Sequence, residues 1–409
     1  MDLTNPSAVG MSDERLARLG PWMEGYVDSG KLPGCMTLVA RHGEIVFWEG
    51  RGVAEEIHRR PIAKSDIFRI YSMTKPIVSV AAMNLFEEGR FQLDDPVSRF
   101  LPEFGKARLW LEGEGEEMKT EAIGDEMKIW HLMTHTSGLI YGNRSSGPVG
   151  DAYQAAGVDF SGSRNSGSLE AMTKLCASMP LRWRPGTRWE YSVSTDVLGR
   201  LVEVVAGKPL GKVLSERIFE PLGMDDTSFN LPHSKIDRLT ELFQRQDDSS
   251  YLSVDPPNDQ STWVKPVTLE SGGGGLVSTA ADYFKFAEML RCLGASNGSS
   301  ILGRKTAEYM MRNHLPGGAD LTSMGQPIFS ETSYDGIGFS LGGSVVVDAA
   351  KSKALCSEGE FAWGGVASTA FWVDRKEGLV VVFLTQLLPS SSYPIRRELR
   401  SLVNQAIID

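Results

Sequence analysis

Phe68-Arg-Ile-Tyr-Ser72-Met-Thr-Lys75-Pro76 is the junction at which a β-type run gives way to a helix. The run ends at Ile70. The helix begins at Ser72, continues through Val78, Ala81, Ala82, Leu85 and Phe86, and stops near Gly89, a suitable C-terminal cap. Pro76 falls in the opening turn, near the limit of where a missing N–H is tolerated. A serine at this point feels the positive end of the helix dipole, and Lys75, three residues on, shares its face. A serine hydroxyl is a poor nucleophile until a base takes its proton, and a lysine in a partly desolvated cleft can do so. The pattern is S-x-x-K. Four letters alone recur by chance, and an N-cap serine beside a surface lysine spells them equally well.

Two more segments give the junction a setting. Trp189-Glu-Tyr191-Ser192-Val193 follows Pro185-Gly186-Thr187 and precedes the helical run Val197-Leu-Gly-Arg-Leu-Val-Glu-Val-Val. Tyr191 therefore stands at a loop–helix boundary, where a phenol can serve as a second proton carrier. Phe361-Ala-Trp363-Gly364-Gly365-Val366 opens a strand. Its adjacent glycines let a substrate approach backbone N–H groups that can bind an oxyanion.

Further out, Ser12 N-caps a helix carrying Leu16, Leu19 and Met23 on one face. Cys35 to Ala40 and Ile45 to Trp48 flank a turn with Gly43, a hairpin signal. Ser368 to Val373 and Leu379 to Leu384 flank Asp374-Arg-Lys-Glu-Gly378, a second one. From Pro394 onward, Ile395, Leu399, Leu402, Val403 and Ala406 form a helical stripe. Strand pairs at both ends with helices between imply one α/β domain built from residues 1–91 and 184–409. Residues 92–183 alternate short helical patterns with loops such as Tyr141-Gly-Asn-Arg-Ser-Ser-Gly147, as a mostly helical inserted domain would. Gly272-Gly-Gly-Gly275 reads as tight backbone packing ahead of a helix starting within Leu276 to Asp282. A phosphate loop would need Lys-Ser or Lys-Thr to follow.

The chain's 409 residues exceed what one core usually spans, which also predicts two domains. With 42 basic against 52 acidic residues the formal charge is −10, and no basic cluster offers itself to nucleic acid. The densest charge run, Glu112 to Glu117, is acidic and reads as a solvated loop. No window approaches the roughly 18 apolar residues of a membrane helix, and the N-terminal residues lack a signal-peptide pattern. Cys35, Cys176, Cys292 and Cys356 are far apart, which disfavours both a disulfide framework and a metal site. These features predict a cytoplasmic protein with free thiols, no metal and no cofactor; the oligomeric state is not legible.

Taken together, these elements resemble the serine β-lactamase and penicillin-binding-protein superfamily, most closely the class C-like branch with the family VIII carboxylesterases. The resemblance covers nearly the whole chain. It extends to Leu132-Met-Thr-His-Thr-Ser-Gly-Leu139, Trp183-Arg-Pro-Gly-Thr187, Phe219-Glu-Pro-Leu-Gly-Met-Asp-Asp-Thr-Ser-Phe229 and Gly274-Gly-Leu-Val-Ser-Thr279. It implies a central antiparallel sheet flanked by helices, with the active site in the cleft beside the helical insertion. Carried over, Ser72 is the acylated nucleophile and Lys75 with Tyr191 shuttles its proton. The backbone N–H groups of Ser72 and Val366 form the oxyanion hole. Which of Lys75 and Tyr191 is the formal base stays open, since a coupled pair need not have a single answer.

Two departures bear on substrate. Class C β-lactamases carry Tyr-x-Asn where this chain has Tyr191-Ser192-Val193, and Lys-Thr-Gly where it has Trp363-Gly364-Gly365. The amide, cation and hydroxyl that would hold a β-lactam are replaced by apolar groups, so Trp363, Gly364, Gly365 and Val193 are read as substrate-binding. The resemblance thus implies a carboxylesterase for small esters with short to medium acyl chains. Its alternatives are an acyltransferase of the same fold, a β-lactamase or D-amino peptidase, and, from another class, a non-catalytic scaffold. Gly338-Phe-Ser340-Leu-Gly342 also matches the G-x-S-x-G nucleophile elbow, but Gly343-Ser-Val-Val-Val347 after it is a strand pattern where an elbow needs a helix. His131 and His135 are read as structural. Of Trp130, Trp183, Trp189 and Trp363, the last is the best acyl-pocket residue.

Overall fold

Gly34–Arg41 (β1) and Glu44–Gly52 (β2) fold back through His42-Gly43, both at positive φ (54° and 90°), as a two-residue hairpin turn requires. Toward the other end lie Ile337–Phe339 (β3), Ser344–Val346 (β4), Phe361–Gly364 (β5), Ala370–Asp374 (β6) and Leu379–Thr385 (β7). Asp374 closes the β6–β7 turn by accepting from the N–H groups of Lys376 (3.0 Å) and Glu377 (3.2 Å). The seven strands make one antiparallel sheet in the order β3-β4-β5-β6-β7-β1-β2. Cys35 faces Thr385 and Arg41 faces Leu379, so the two ends of the chain meet inside the sheet. The computed structural model describes residues 1–158, 167–296, 298–325 and 334–409.

Both faces of the sheet are covered, which is why β1 and β7 read as continuous apolar runs. Met36, Leu38 and Ala40 join Val380, Val382 and Leu384 in the larger core, with Phe286 and Met289 of the helix Ala280–Arg291. The alternate set, Cys35, Val39, Val381, Phe383 and Trp372, faces the opposite way. There it meets Leu19 and Met23 of Leu19–Asp28 and Leu399 and Val403 of Ile395–Asn404. Each fully buried Val or Leu side chain stabilises the fold by about 1.5–3 kcal/mol.

Beyond the larger core lies the helical layer, in which Thr74–Glu87 (α1) packs on Ser194–Ala206 (α2). Ile129–Met133 and Leu169–Ser178 pack on α2 as well. One local expectation is corrected. Ser12 does cap a helix, its Oγ accepting from Arg15 N at 3.3 Å, but that helix ends at Leu16 and a second begins at Leu19. Within residues 92–183, Arg108–Glu112 and Lys119–Ala122 form a hairpin with the acidic run around its turn. The helix read within Leu276 to Asp282 starts at Ala280, after a short strand, Val277–Ser278, paired with Phe68–Arg69. No helix among the described residues is long and apolar enough to cross a membrane.

Candidate active site

The Ser72 turn is built from a non-local strand pair. Phe68 lies opposite Ser278 and Arg69 opposite Val277, and the Ile70 N–H donates to Leu276 O at 3.1 Å. Tyr71 then adopts φ +43°, a left-handed conformation that a residue with a Cβ rarely takes. Holding it costs on the order of 1–3 kcal/mol and turns the chain sharply into Ser72. A 3₁₀ turn, Tyr71–Met73, precedes α1, so the helix proper begins two residues later than the sequence pattern placed it. The turn is bolted from behind: Tyr283 Oη donates to Met73 O at 2.8 Å, and Leu276 N donates to Thr74 Oγ1 at 3.2 Å.

Lys75 is 0% exposed, and its Nζ donates to Ser72 Oγ (3.3 Å), Tyr141 Oη (3.3 Å) and Gly273 O (2.6 Å). Its ammonium also lies 4.5 Å from the centre of the Tyr191 ring. Burial pulls its pKa down to about 7, against the opposing pull of Asp196. A lysine in this state gives up its proton near neutral pH.

Tyr191 is buried and hydrogen-bonded to Ser72. Burial pushes its phenol well above the ordinary range, only partly offset by that hydrogen bond, so it stands protonated. Trp189 stacks on its ring at 6.2 Å, while Trp363 (5.5 Å) and His135 (4.8 Å) lean against it. His135 is fixed in turn, its Nδ1 accepting from Ser192 N at 3.2 Å, and burial with the nearby Lys75 charge keeps it neutral. His131 Nδ1 accepts from Lys128 N at 3.0 Å, within a helix cap. Both histidines therefore hold backbone.

The glycines after Trp363 bring β5 against the serine turn. A Cβ on Gly365 would fall 2.6 Å from Ile70 O and 2.3 Å from Thr369 Oγ1. Glycine at 365 therefore lets β5 end this close to the Ile70 backbone. Arg396, from the C-terminal helix, donates to Gly365 O and Thr369 O, both at 3.1 Å, and ties the end of β5 down. A cavity of about 460 Å³ opens here, lined by Tyr71, Tyr141, Asp196, Trp263, Gly273 and Val366 among others. Arg144 also lines it.

The structure thus brings Ser72, Lys75, Tyr191, Trp363 and the Gly365-Val366 backbone together. Val193 is 0% exposed and packs in the core at the N-cap of α2. Ser340 lies elsewhere, its Oγ donating to Gly343 O at 2.8 Å inside the β3–β4 turn. Sequence reasoning missed Tyr141, Asp196 and the Gly273 carbonyl. Asp196 Oδ1 accepts from Ser271 Oγ (2.6 Å) and Gly273 N (3.0 Å). The four-glycine run was the available signal, since a Cβ on Gly273 would fall 2.5 Å from Asp196 Oδ2. Among the described residues no group of three or more His, Cys, Asp or Glu is arranged to hold a metal ion.

The profile of the Beta-lactamase family matches residues 21–405. Esterase EstB of Burkholderia gladioli is 31% identical over 400 residues, 93% of each chain. Lovastatin esterase of Penicillium rubens is 26% identical over 377 residues, 87% of this chain and 89% of its own. Among solved structures, EstCE1, described as a hydrolase with promiscuous acyltransferase activity, matches with a TM-score of 0.79. It is 28% identical and covers 96% of this chain and 99% of its own.

Proposed function

The chain belongs to the beta-lactamase family and is a carboxylesterase of its family VIII branch, and we propose that Ser72 is its nucleophile, acylated by short to medium uncharged acyl groups. The observation that carries this is Lys75, buried, with its pKa drawn down to about 7 and its Nζ 3.3 Å from Ser72 Oγ.

Lys75 is the resting base, because burial lowers its pKa to about 7 while raising that of Tyr191. As Ser72 Oγ bonds to the ester carbonyl carbon, its proton passes to Lys75. The charge on the carbonyl oxygen meets the N–H groups of Ser72 and Val366, an arrangement worth several kcal/mol in a dry site. Tyr191, bonded to Ser72 and lying against Lys75, hands a proton to the departing alkoxide and is reprotonated from Lys75. Water then bonds to the acyl carbonyl carbon, its proton passing through the same pair to Ser72 Oγ as the bond from Oγ to that carbon breaks and the acid leaves. Substrate enters between the helical unit of residues 92–183 and the α/β unit of residues 1–91 and 184–409, with Trp363 against the acyl chain.

A serine-directed phosphonate tests the nucleophile: its mass should appear on the peptide containing Ser72, and a label on Ser340 overturns the reading. Acyl transfer to an alcohol is a second reading, favoured by the likeness to EstCE1. Product analysis of p-nitrophenyl butyrate turnover with and without added butanol separates it from hydrolysis.

A further inference from the structure

We infer that Asp196 is the positioning residue of the proton-transfer pair: it grips the Gly273 peptide whose carbonyl holds Lys75 Nζ, and it supplies the negative charge that stabilises the ammonium formed when Ser72 is deprotonated. This rests on the reading of Lys75 as base. Asp196 lies in the first turn of α2, where the helix dipole favours a carboxylate. Its Oδ1 accepts from Ser271 Oγ and Gly273 N, and the other side of that same residue, Gly273 O, accepts from Lys75 Nζ at 2.6 Å. One short residue without a side chain therefore links the carboxylate to the amine. A methyl group on Gly273 would meet Asp196 Oδ2 at 2.5 Å and Tyr141 Oη at 3.0 Å, so the link tolerates nothing larger than glycine.

The groups facing Lys75 come from several elements. Ser72 comes from its own turn, Tyr141 and His135 from the loop after Ile129–Met133, Tyr191 from the segment before α2, and Asp196 from α2 itself. Arg144 and Arg396 act on the tyrosines, and the Cys176 thiol faces Tyr141 and Asp196. His135 is held neutral and both phenols are held protonated. Asp196 is the group that opposes burial at Lys75 and raises its proton affinity. Burial pushes the carboxyl's own pKa up, whereas Ser271, Lys75 and the Gly273 N–H favour its ionised form.

Removing that charge has two effects of opposite sense. The lysine loses its proton at lower pH, so the acid limb of kcat/KM moves down. The ammonium formed during acylation loses its partner, so the plateau falls. Wild-type kcat/KM for p-nitrophenyl butyrate should rise with pH through about 7. In Asp196→Asn, whose amide oxygen can accept the same two donors, the limb should move about one pH unit lower. The plateau should drop roughly 10–100-fold, less than the about 10²–10⁴-fold of a group that itself carries the proton. Asp196→Glu, which keeps the charge, should restore the wild-type limb even where its plateau stays low. If Asp196→Asn does not fold, Ser271→Ala, which removes one donor to the carboxylate, should move the limb the same way by less. A reduced plateau with the limb in place, in Asp196→Asn or in that substitute, overturns the inference while leaving the base intact. A limb that survives Lys75→Ala overturns the base reading, and this inference with it.

Discussion

Ser72 and Ser340 are both buried, both follow a short strand and both have their hydroxyl within hydrogen-bond distance of a partner. Their partners differ in kind. Ser340 Oγ donates to Gly343 O at 2.8 Å and accepts from Gly343 N at 3.3 Å, so both its donor and an acceptor site are spent on closing the β3–β4 turn. Ser72 Oγ instead meets an amine and a phenol, groups whose protonation can change. A hydroxyl saturated by its own backbone is a staple, and one left to titratable neighbours can become a nucleophile. The two regions also touch: Phe339, next to Ser340, packs edge-on against Trp363 at 5.2 Å and so supports the aromatic wall around Tyr191. The decoy hairpin serves the site through its phenylalanine.

The comparison breaks most sharply at Ser72. Ser72→Ala should reduce hydrolysis of p-nitrophenyl butyrate by several orders of magnitude with the thermal melt unchanged, since the acylated atom is gone. Residual turnover near wild type would mean that the bond to Lys75 is structural. Next come the partners. Lys75→Ala and Tyr191→Phe should each cost about 10²–10⁴-fold in kcat/KM, and the double variant should lose far less than the product, as groups acting as a unit do.

A smaller effect concerns what the cleft accepts. Trp363 offers an acyl chain apolar surface, worth about 25 cal/mol per Å² buried, while an unpaired carboxylate costs several kcal/mol to bury. Uncharged p-nitrophenyl esters should exceed nitrocefin and penicillins in kcat/KM by about a hundredfold, or roughly 2.7 kcal/mol. Efficient penicillin turnover with poor acetate and butyrate hydrolysis would reverse this, and Arg144 at the cavity wall would be the cation to remove next. The smallest effect belongs to Ser340. Ser340→Ala should leave kcat/KM within about twofold and lower stability by about 1 kcal/mol, the scale of one hydrogen bond. Loss of activity without loss of fold would erase the contrast between the two serines.

Much of the fold was readable because both sheet hairpins carry their own instructions. His42-Gly43 and Asp374 to Gly378 are local turn signals, and the apolar runs beside them have strand length. What failed was non-local. Val277–Ser278 is a strand only because Phe68–Arg69 lies across from it, and nothing near Leu276 announces that. Val193 follows Tyr191 by two positions and is buried where α2 starts, a placement set by packing and not by the motif. Within the site, Ser72, Lys75 and Tyr191 were legible from residue type and spacing. Tyr141 was hidden in a glycine- and serine-rich loop, and the Gly273 carbonyl is a backbone atom that no side-chain pattern reports.

The sheet order bears on how the chain is made. Thr385 Oγ1 donates to Gly34 O at 2.6 Å across 351 positions of sequence. At about 5–20 residues per second, the first hairpin leaves the ribosome roughly 18–70 s before its partner strand is synthesised. Until then the β1 edge, which ends up inside the sheet against β7, has unpaired N–H and C=O groups along an apolar strand. Such an edge is a template for the wrong neighbour, and pairings this distant in sequence form slowly. The sheet is thus finished late, after α1 and α2 have emerged, and the β1 edge has to wait uncovered or be shielded until β7 arrives.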